Sequence, residues 1–163
     1  MSLLQPMIDA IGKLPLSTAV AESAWLFPSF ESAHVVAVGL VFGSIVIVDL
    51  RLLKLRLTDQ NVMQLTSRLL PFTWIAFIAA VITGLLMFIA DPGRYLDNLP
   101  FQFKFLLLAL AGVNMMINHF IVSKNMEEWG RPGYTTTAAK LSGGASLLLW
   151  TLIIFAGRWI GFS

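Results

Sequence analysis

Cysteine is absent from the 163 residues, and with it go disulfide frameworks, thiolate metal sites, iron–sulfur clusters and cysteine nucleophiles. Charge is scarce too: Asp, Glu, Lys and Arg make up 12% of the chain, against roughly 25% in soluble domains. No run of five basic residues exists, so a sequence pI near 9.2 offers no patch for nucleic acid. With only two histidines, a pair of bis-histidine haems in one chain is excluded. The HExxH, Walker and GxGxxG patterns are missing, as is a Ser, His and Asp constellation with an oxyanion turn. Midplane polarity of the kind that transporters build on broken helices is also missing, Asn114 being the one strongly polar residue near that depth.

What the chain has in plenty is hydrocarbon, with 57% hydrophobic residues and a mean hydropathy of +0.79. Four stretches, about 31–50, 71–90, 103–123 and 139–159, each supply the roughly 20 apolar residues that a bilayer core demands. They predict an all-α, integral membrane four-helix bundle over residues 29–163, with the lipid bilayer as its first partner. The polar segment 54–68 reads as a loop closed by Pro71 in the first turn of the second span. "DPGRYLDNLP", residues 91–100, reads as the hairpin between spans two and three, and "KNMEEWGRPGY", residues 124–134, as the connection between spans three and four.

Lysine and arginine set the orientation. Seven of the eleven, Arg51, Lys54, Arg56, Arg68, Lys124, Arg131 and Lys140, fall on the side of the first and third connections, and four, Lys13, Arg94, Lys104 and Arg158, on the other. The bias predicts both termini outside the cytoplasm, which is the periplasmic side if the membrane is a bacterial inner one. Residues 1–28 have no basic start and no continuous apolar run, so Ala19-Val20-Ala21 is kept in the mature chain rather than read as a cleavage site. Leu3, Leu4, Met7, Ile8 and Ile11 recur at helical spacing, with Gly12 to stop the turn, which predicts an amphipathic helix lying on the membrane surface. A second short helix opens after Leu16 with Ser17 or Thr18 as its cap, and Trp25 sits at headgroup level.

The ionisable residues inside the spans are the candidates for function. On the first span Glu31, His34 and Asp49 share a face, while Gly39 and Gly43 form a GxxxG on another, suited to close packing or to a homodimer. On the third span Lys104, Asn114, Asn118 and His119 fall within an arc of about 140° at the 100° step of a helix. His34 and His119 are separated by about 20 Å in depth at 1.5 Å per residue, whereas two imidazoles on one metal stand within about 4 Å. One haem clamped between them in a single chain is therefore excluded.

Two polar clusters result. The outer one gathers Glu31, His34, Met87 and Lys104, a set able to ligate haem iron through His34 and to pair a cation with a propionate or a quinone oxygen. Its structural alternative is an interfacial group in which Glu31 and His34 share a hydrogen bond, Lys104 snorkels and Met87 packs. The inner one gathers Asp49, Arg51, Trp74, Asn118 and His119. Asp49 and His119 reach similar depth, so the carboxylate could orient the imidazole for a proton relay, a quinone head or a metal. The alternative is a buried network tying spans one and three. Met115, Met116 and His119 form a soft set for Cu(I), or simply fill core or lipid-facing space.

His34 early in span one, Pro71 and Trp74 opening span two with Gly84 further in, Lys104 opening span three and His119 near its end form an order that resembles a known superfamily. It is the bacterial four-helix membrane group that includes copper-resistance-D-like domains and HemJ-type protoporphyrinogen oxidases. "WLFPSFESAH", "VDLRLL", "LPFTW", "TGLLMF", "FQFK" and "AGVN" look closer still to an uncharacterised family of small bacterial inner-membrane proteins, over about residues 20–123. The resemblance implies a b-type haem or copper in the membrane, with His34 and Lys104 as the positions that carry over. Lys104 and His119 stand about one helical turn further apart than their counterparts in the oxidases.

The leading expectation is a membrane subunit that holds a b-type haem or a quinone in its outer half, transferring electrons alone or as the anchor of a partner redox protein. The rivals are copper binding or transport, with His34 and His119 as metal ligands, and a non-catalytic accessory or scaffold subunit. Bound porphyrin, stoichiometric copper or neither separates the three.

Overall fold

The computed structural model describes residues 5–124 and 126–162. Among these described residues eight helices run in order: α1 (Gln5–Gly12), α2 (Pro15–Glu22), α3 (Leu26–Leu52), α4 (Val62–Ala90), α5 (Pro92–Leu96), α6 (Leu99–Ile117), α7 (Met126–Trp129) and α8 (Thr137–Trp159). A π-helical turn, Asn118–Val122, extends α6, and a 3₁₀ turn, Ile160–Phe162, ends α8. No strand occurs among the described residues. Four of these helices, Leu26–Leu52, Val62–Ala90, Leu99–Val122 and Thr137–Phe162, are long and apolar enough to cross a membrane. The protein is an all-α four-helix bundle of the multi-pass membrane type.

The spanning helices outrun the apolar segments that announce them, because polar caps set their ends. Asn61 caps α4 by accepting from the Gln64 amide at 3.2 Å, so the loop closes at Val62 rather than at Arg68. Pro71 consequently lies inside α4 and not in its first turn. Neighbouring helices and local backbone adjustment make such a proline tolerable in a membrane. Asn98 caps α6 at the Phe101 amide (3.0 Å) and Thr136 caps α8 at the Ala139 amide (3.3 Å).

α3 packs along α4 on one side and α8 on the other, and α6 packs on α8. Between α4 and α6 there is scarcely any helix contact among the described residues. The four spans therefore follow one another in the order α4–α3–α8–α6, with α4 and α6 the neighbours in least contact. At one end these two are bridged by aromatic rings: Phe88 of α4 stacks on Phe101 of α6 with centroids 5.8 Å apart and planes within 6°. Tyr95 and Phe105 complete the cluster, 5.3 and 4.8 Å from Phe101.

The tightest core sits at the opposite end, where the first and third connections meet. Leu52, Val62, Val122, Trp129 and Ala139 are buried together there. Arg51, 0% exposed, fastens both connections. Its Nε donates to the Gln60 carbonyl (2.7 Å), Nη1 to Thr135 Oγ1 (2.9 Å) and Nη2 to the Arg131 and Tyr134 carbonyls (2.8 and 3.4 Å). The sequence treats Arg51 as a charge beside the membrane; the structure buries it, because the irregular backbone of two loops supplies the acceptors that a helix interior lacks. Lys54 and Leu57 adopt left-handed backbone, φ 60° and 54°, a conformation that persists in non-glycine residues only where the surroundings over-determine it. We call this the basic end and the other, where both chain termini lie, the terminal end.

At the terminal end α1 rests on α5, with Ile8 near Gly93. Leu3 and Leu4 of the amphipathic pattern, and the Met7 side chain, lie outside the described residues. α2 opens after Leu14 with Pro15 in its first turn, earlier than the reading from Leu16. Ser17 is not its cap: the side chain is buried, and its hydroxyl donates to the Ile89 carbonyl at 2.7 Å, docking α2 on α4.

Candidate functional site

His34 projects from α3 onto α4. Its Nδ1 lies 2.9 Å from the Ala80 carbonyl and 3.1 Å from Thr83 Oγ1. A carbonyl can only accept, so Nδ1 carries the proton and Nε2 keeps the lone pair. The Thr83 hydroxyl is itself committed to the Ala79 carbonyl at 2.7 Å, which turns its oxygen toward the imidazole as a second acceptor. No hydrogen bond uses Nε2 among the described residues. Gly84 makes room for the ring, since a Cβ there would stand 3.1 Å from His34 Cε1.

Lys104, in the second turn of α6, is half-buried and is the charged neighbour of His34. Its side chain runs along α8 where Gly157 leaves space, a Cβ at 157 lying 3.4 Å from Nζ. Among the described residues Lys104 has no carboxylate partner. An ammonium drawn into a span without a counter-ion, beside an imidazole with a free lone pair, is an arrangement able to receive one anionic or electron-rich oxygen and one Lewis acid or proton. Phe101 and Phe105 of the aromatic bridge flank Lys104 on α6, and Phe88 lies one turn beyond Gly84 on α4. The bridge therefore stands on the terminal side of the His34–Lys104 pair, between α4 and α6.

The other outer candidates lie apart. Glu31 is exposed and makes no hydrogen bond to His34; it faces Tyr95, whose phenol is pushed up by burial first, with Glu31 adding to the rise and Arg94 opposing it. Met87 is half-buried on α4. No group of three or more His, Asp or Glu suited to a metal occurs among the described residues.

The inner candidates are dispersed. Asp49 is buried, 4% exposed, and its carboxyl lies beside Ser146 of α8. His119 is exposed, edge-on to Phe120 at 5.0 Å, and no bond joins it to Asp49. Its place at the margin of the polar arc, about 100° from Asn118, puts it on the lipid side once Asn118 turns to α8. Trp74, 44% exposed, packs edge-on to Phe77, and Met115 and Met116 are 53% and 56% exposed. Asn114 and Asn118 do face protein, but their partner is α8 rather than α3. Asn114 Nδ2 donates to the Ser142 carbonyl (3.1 Å), Asn118 Nδ2 to Ser142 Oγ (3.0 Å), and that hydroxyl to Asn114 Oδ1 (3.4 Å). A Cβ at Gly39 or Gly43 would meet nothing within 4 Å among the described residues, so the GxxxG face stays open; close helix approach occurs instead at Gly143, where a Cβ would meet Leu52 Cβ at 3.0 Å.

Thr83, Gly157, Ser142 and Ser146 belong to these sites and were not singled out by sequence. Ser142 and Ser146 could have been, since they are polar residues one helical turn apart inside the fourth span. A family of unknown function (DUF6644) matches residues 24–163. The chain belongs to it. No curated protein and no solved structure matches significantly. The matched region contains the whole four-helix bundle, including His34, Lys104 and Asp49, and leaves out α1 and α2.

Proposed function

We propose that this DUF6644 chain is a redox subunit of the bacterial inner membrane that holds a haem b or a quinone head at the His34–Lys104 pair. The observation that carries the reading is the fixed tautomer of His34: with Nδ1–H spent on the Ala80 carbonyl, Nε2 offers its lone pair beside an unpaired cation. Metal-ligating histidines are oriented in this way by a carbonyl on the other nitrogen, and the same lone pair can accept a proton from a quinol. Either group, when bound, would supply reversible electron storage, while His34 orients it and Lys104 balances an added negative charge. The resemblance to copper-resistance-D-like and HemJ-type membrane proteins supports haem at these positions. The sparse contact between α4 and α6 supports a quinone, because a lipid-soluble molecule can approach between them without crossing the basic end.

The bias of basic residues toward the first and third connections supports a site in the periplasmic half, within reach of a redox partner on that side. Copper handling draws less support: Met115, Met116 and His119 are exposed to the lipid side rather than gathered. The test is an absorption spectrum of the detergent-purified protein, oxidised and dithionite-reduced, with metal analysis and quinone extraction from the same sample. A Soret band with sharpened bands on reduction selects haem, and co-extracted quinone at near-stoichiometric yield selects the second ligand. A featureless spectrum with neither quinone nor metal, from cells supplied with haem, would defeat the proposal and favour a scaffold role.

A further inference from the structure

Asp49 belongs to no part of the His34–Lys104 site, yet it is the one aspartate of five that is buried; Asp9, Asp59, Asp91 and Asp97 are all exposed. Among the described residues its Oδ2 has no hydrogen-bond partner, and no cation there answers it either. The Arg51 guanidinium, two residues on, gives its donors to loop acceptors at the basic end, and no Lys, Arg or His of α4, α6 or α8 acts on the carboxyl group, whose polar neighbour is Ser146 alone. An ionised carboxylate with an orphaned oxygen inside a span is heavily disfavoured, and a proton is the ligand that removes the charge.

A polar strip links this carboxyl group to the surface at the basic end. Glu127, Glu128 and Ser123 line an open depression of about 350 Å³ there, with Met63 and Met126. Ser123 Oγ donates to Asn118 Oδ1 (3.3 Å), and Asn118 Nδ2 donates to Ser142 Oγ (3.0 Å). Ser146 follows Ser142 by four residues on α8, one turn deeper, and stands beside Asp49. Toward the terminal end the next residues of α8, Leu147, Leu148 and Leu149, are apolar.

We propose that Asp49 is an intramembrane proton-binding site, loaded from the Glu127/Glu128 depression along the Ser123–Asn118–Ser142–Ser146 strip. The proton exchanges with the aqueous phase at the basic end only. The assignment is independent of which group His34 holds.

The test uses the full chain in detergent, labelled with aspartate carrying ¹³C at the side-chain carboxyl carbon, and follows the carboxyl signals by NMR as a function of pH. One of the five signals is expected to stand apart from the rest as that of a protonated acid. Five signals titrating alike would overturn the proposal. The protonated-acid carbonyl band in the infrared, assigned by its loss in Asp49→Asn, then reports the route through its hydrogen–deuterium exchange. Exchange slowed threefold or more in Ser146→Ala is expected; an unchanged rate would overturn the route. Because the labelled wild type suffices for the first arm, a failure of Asp49→Asn to fold leaves the test intact.

Discussion

Removing the Arg51 side chain should loosen the basic end of the bundle more than any other single truncation in the loops. Three of its four hydrogen bonds are short, 2.7 to 2.9 Å, and they reach Gln60, Thr135 and Arg131, residues up to 84 positions away. A hydrogen bond to a charged group contributes roughly 1.5–3 kcal/mol, which gives an upper bound of about 4.5–9 kcal/mol for the three. Part of this returns on truncation, because the cost of burying the guanidinium disappears and loop carbonyls near the surface recover water. About 3–4 kcal/mol of destabilisation remains for Arg51→Ala, a drop of roughly 6–15 °C in Tm for a chain of this size. Arg51→Lys keeps the charge, but a single ammonium replaces the fork and serves one or two acceptors, so about 1–3 kcal/mol is lost. The assay is thermal unfolding in detergent by circular dichroism, paired with limited proteolysis of the loops at residues 53–61 and 130–136. An Arg51→Ala protein that melts within 2 °C of the wild type (~0.5 kcal/mol) and resists protease equally would refute the clamp.

Other outcomes follow from the helix contacts. Gly143→Ala places a Cβ 3.0 Å from Leu52 Cβ and 3.5 Å from the Asp49 carbonyl, so α3 and α8 must separate, at about 1–3 kcal/mol. Gly39→Ala meets nothing within 4 Å among the described residues and should leave the monomer's Tm unchanged; a large loss there, with a change of oligomeric state by light scattering, would mean that a second copy covers the GxxxG face. Ser142→Ala orphans a donor on Asn118 and an acceptor on Asn114, and at the ~0.6–1.7 kcal/mol measured for such membrane contacts should lower thermal stability by about 1 kcal/mol. Gly84→Ala crowds the His34 ring at 3.1 Å and should weaken ligand retention at His34 while leaving helical content intact, read by comparing bound ligand with far-ultraviolet dichroism.

The bundle was legible because lipid demands a long apolar run for each crossing, and four such runs exist. Helix ends were less legible, since they depend on caps such as Asn61 that a hydropathy window passes over. The His34–Lys104 pair could be anticipated from two ionisable residues near the same edge of parallel spans, but Thr83, Gly84 and Gly157 take their meaning from contacts across helices. Two errors of assignment have one cause. Asn118 and Arg51 were paired with the helices nearest in sequence pattern, whereas Asn118 turns to α8, an element with little polar signal, and Arg51 to loop backbone with none. His119 was grouped with Asn118 although about 100° separates them, and the bundle needs only one of those directions.

The central claim is that His34 Nε2 and Lys104, not the second histidine, hold a redox ligand. The most direct measurement is the reduced-minus-oxidised spectrum and the extracted quinone of His34→Ala, Lys104→Gln and His119→Ala, prepared alongside the wild type at matched helical content. The account predicts loss of bound ligand in His34→Ala, weakened retention in Lys104→Gln and no change in His119→Ala. Ligand kept by His34→Ala, or lost only in His119→Ala, would contradict it.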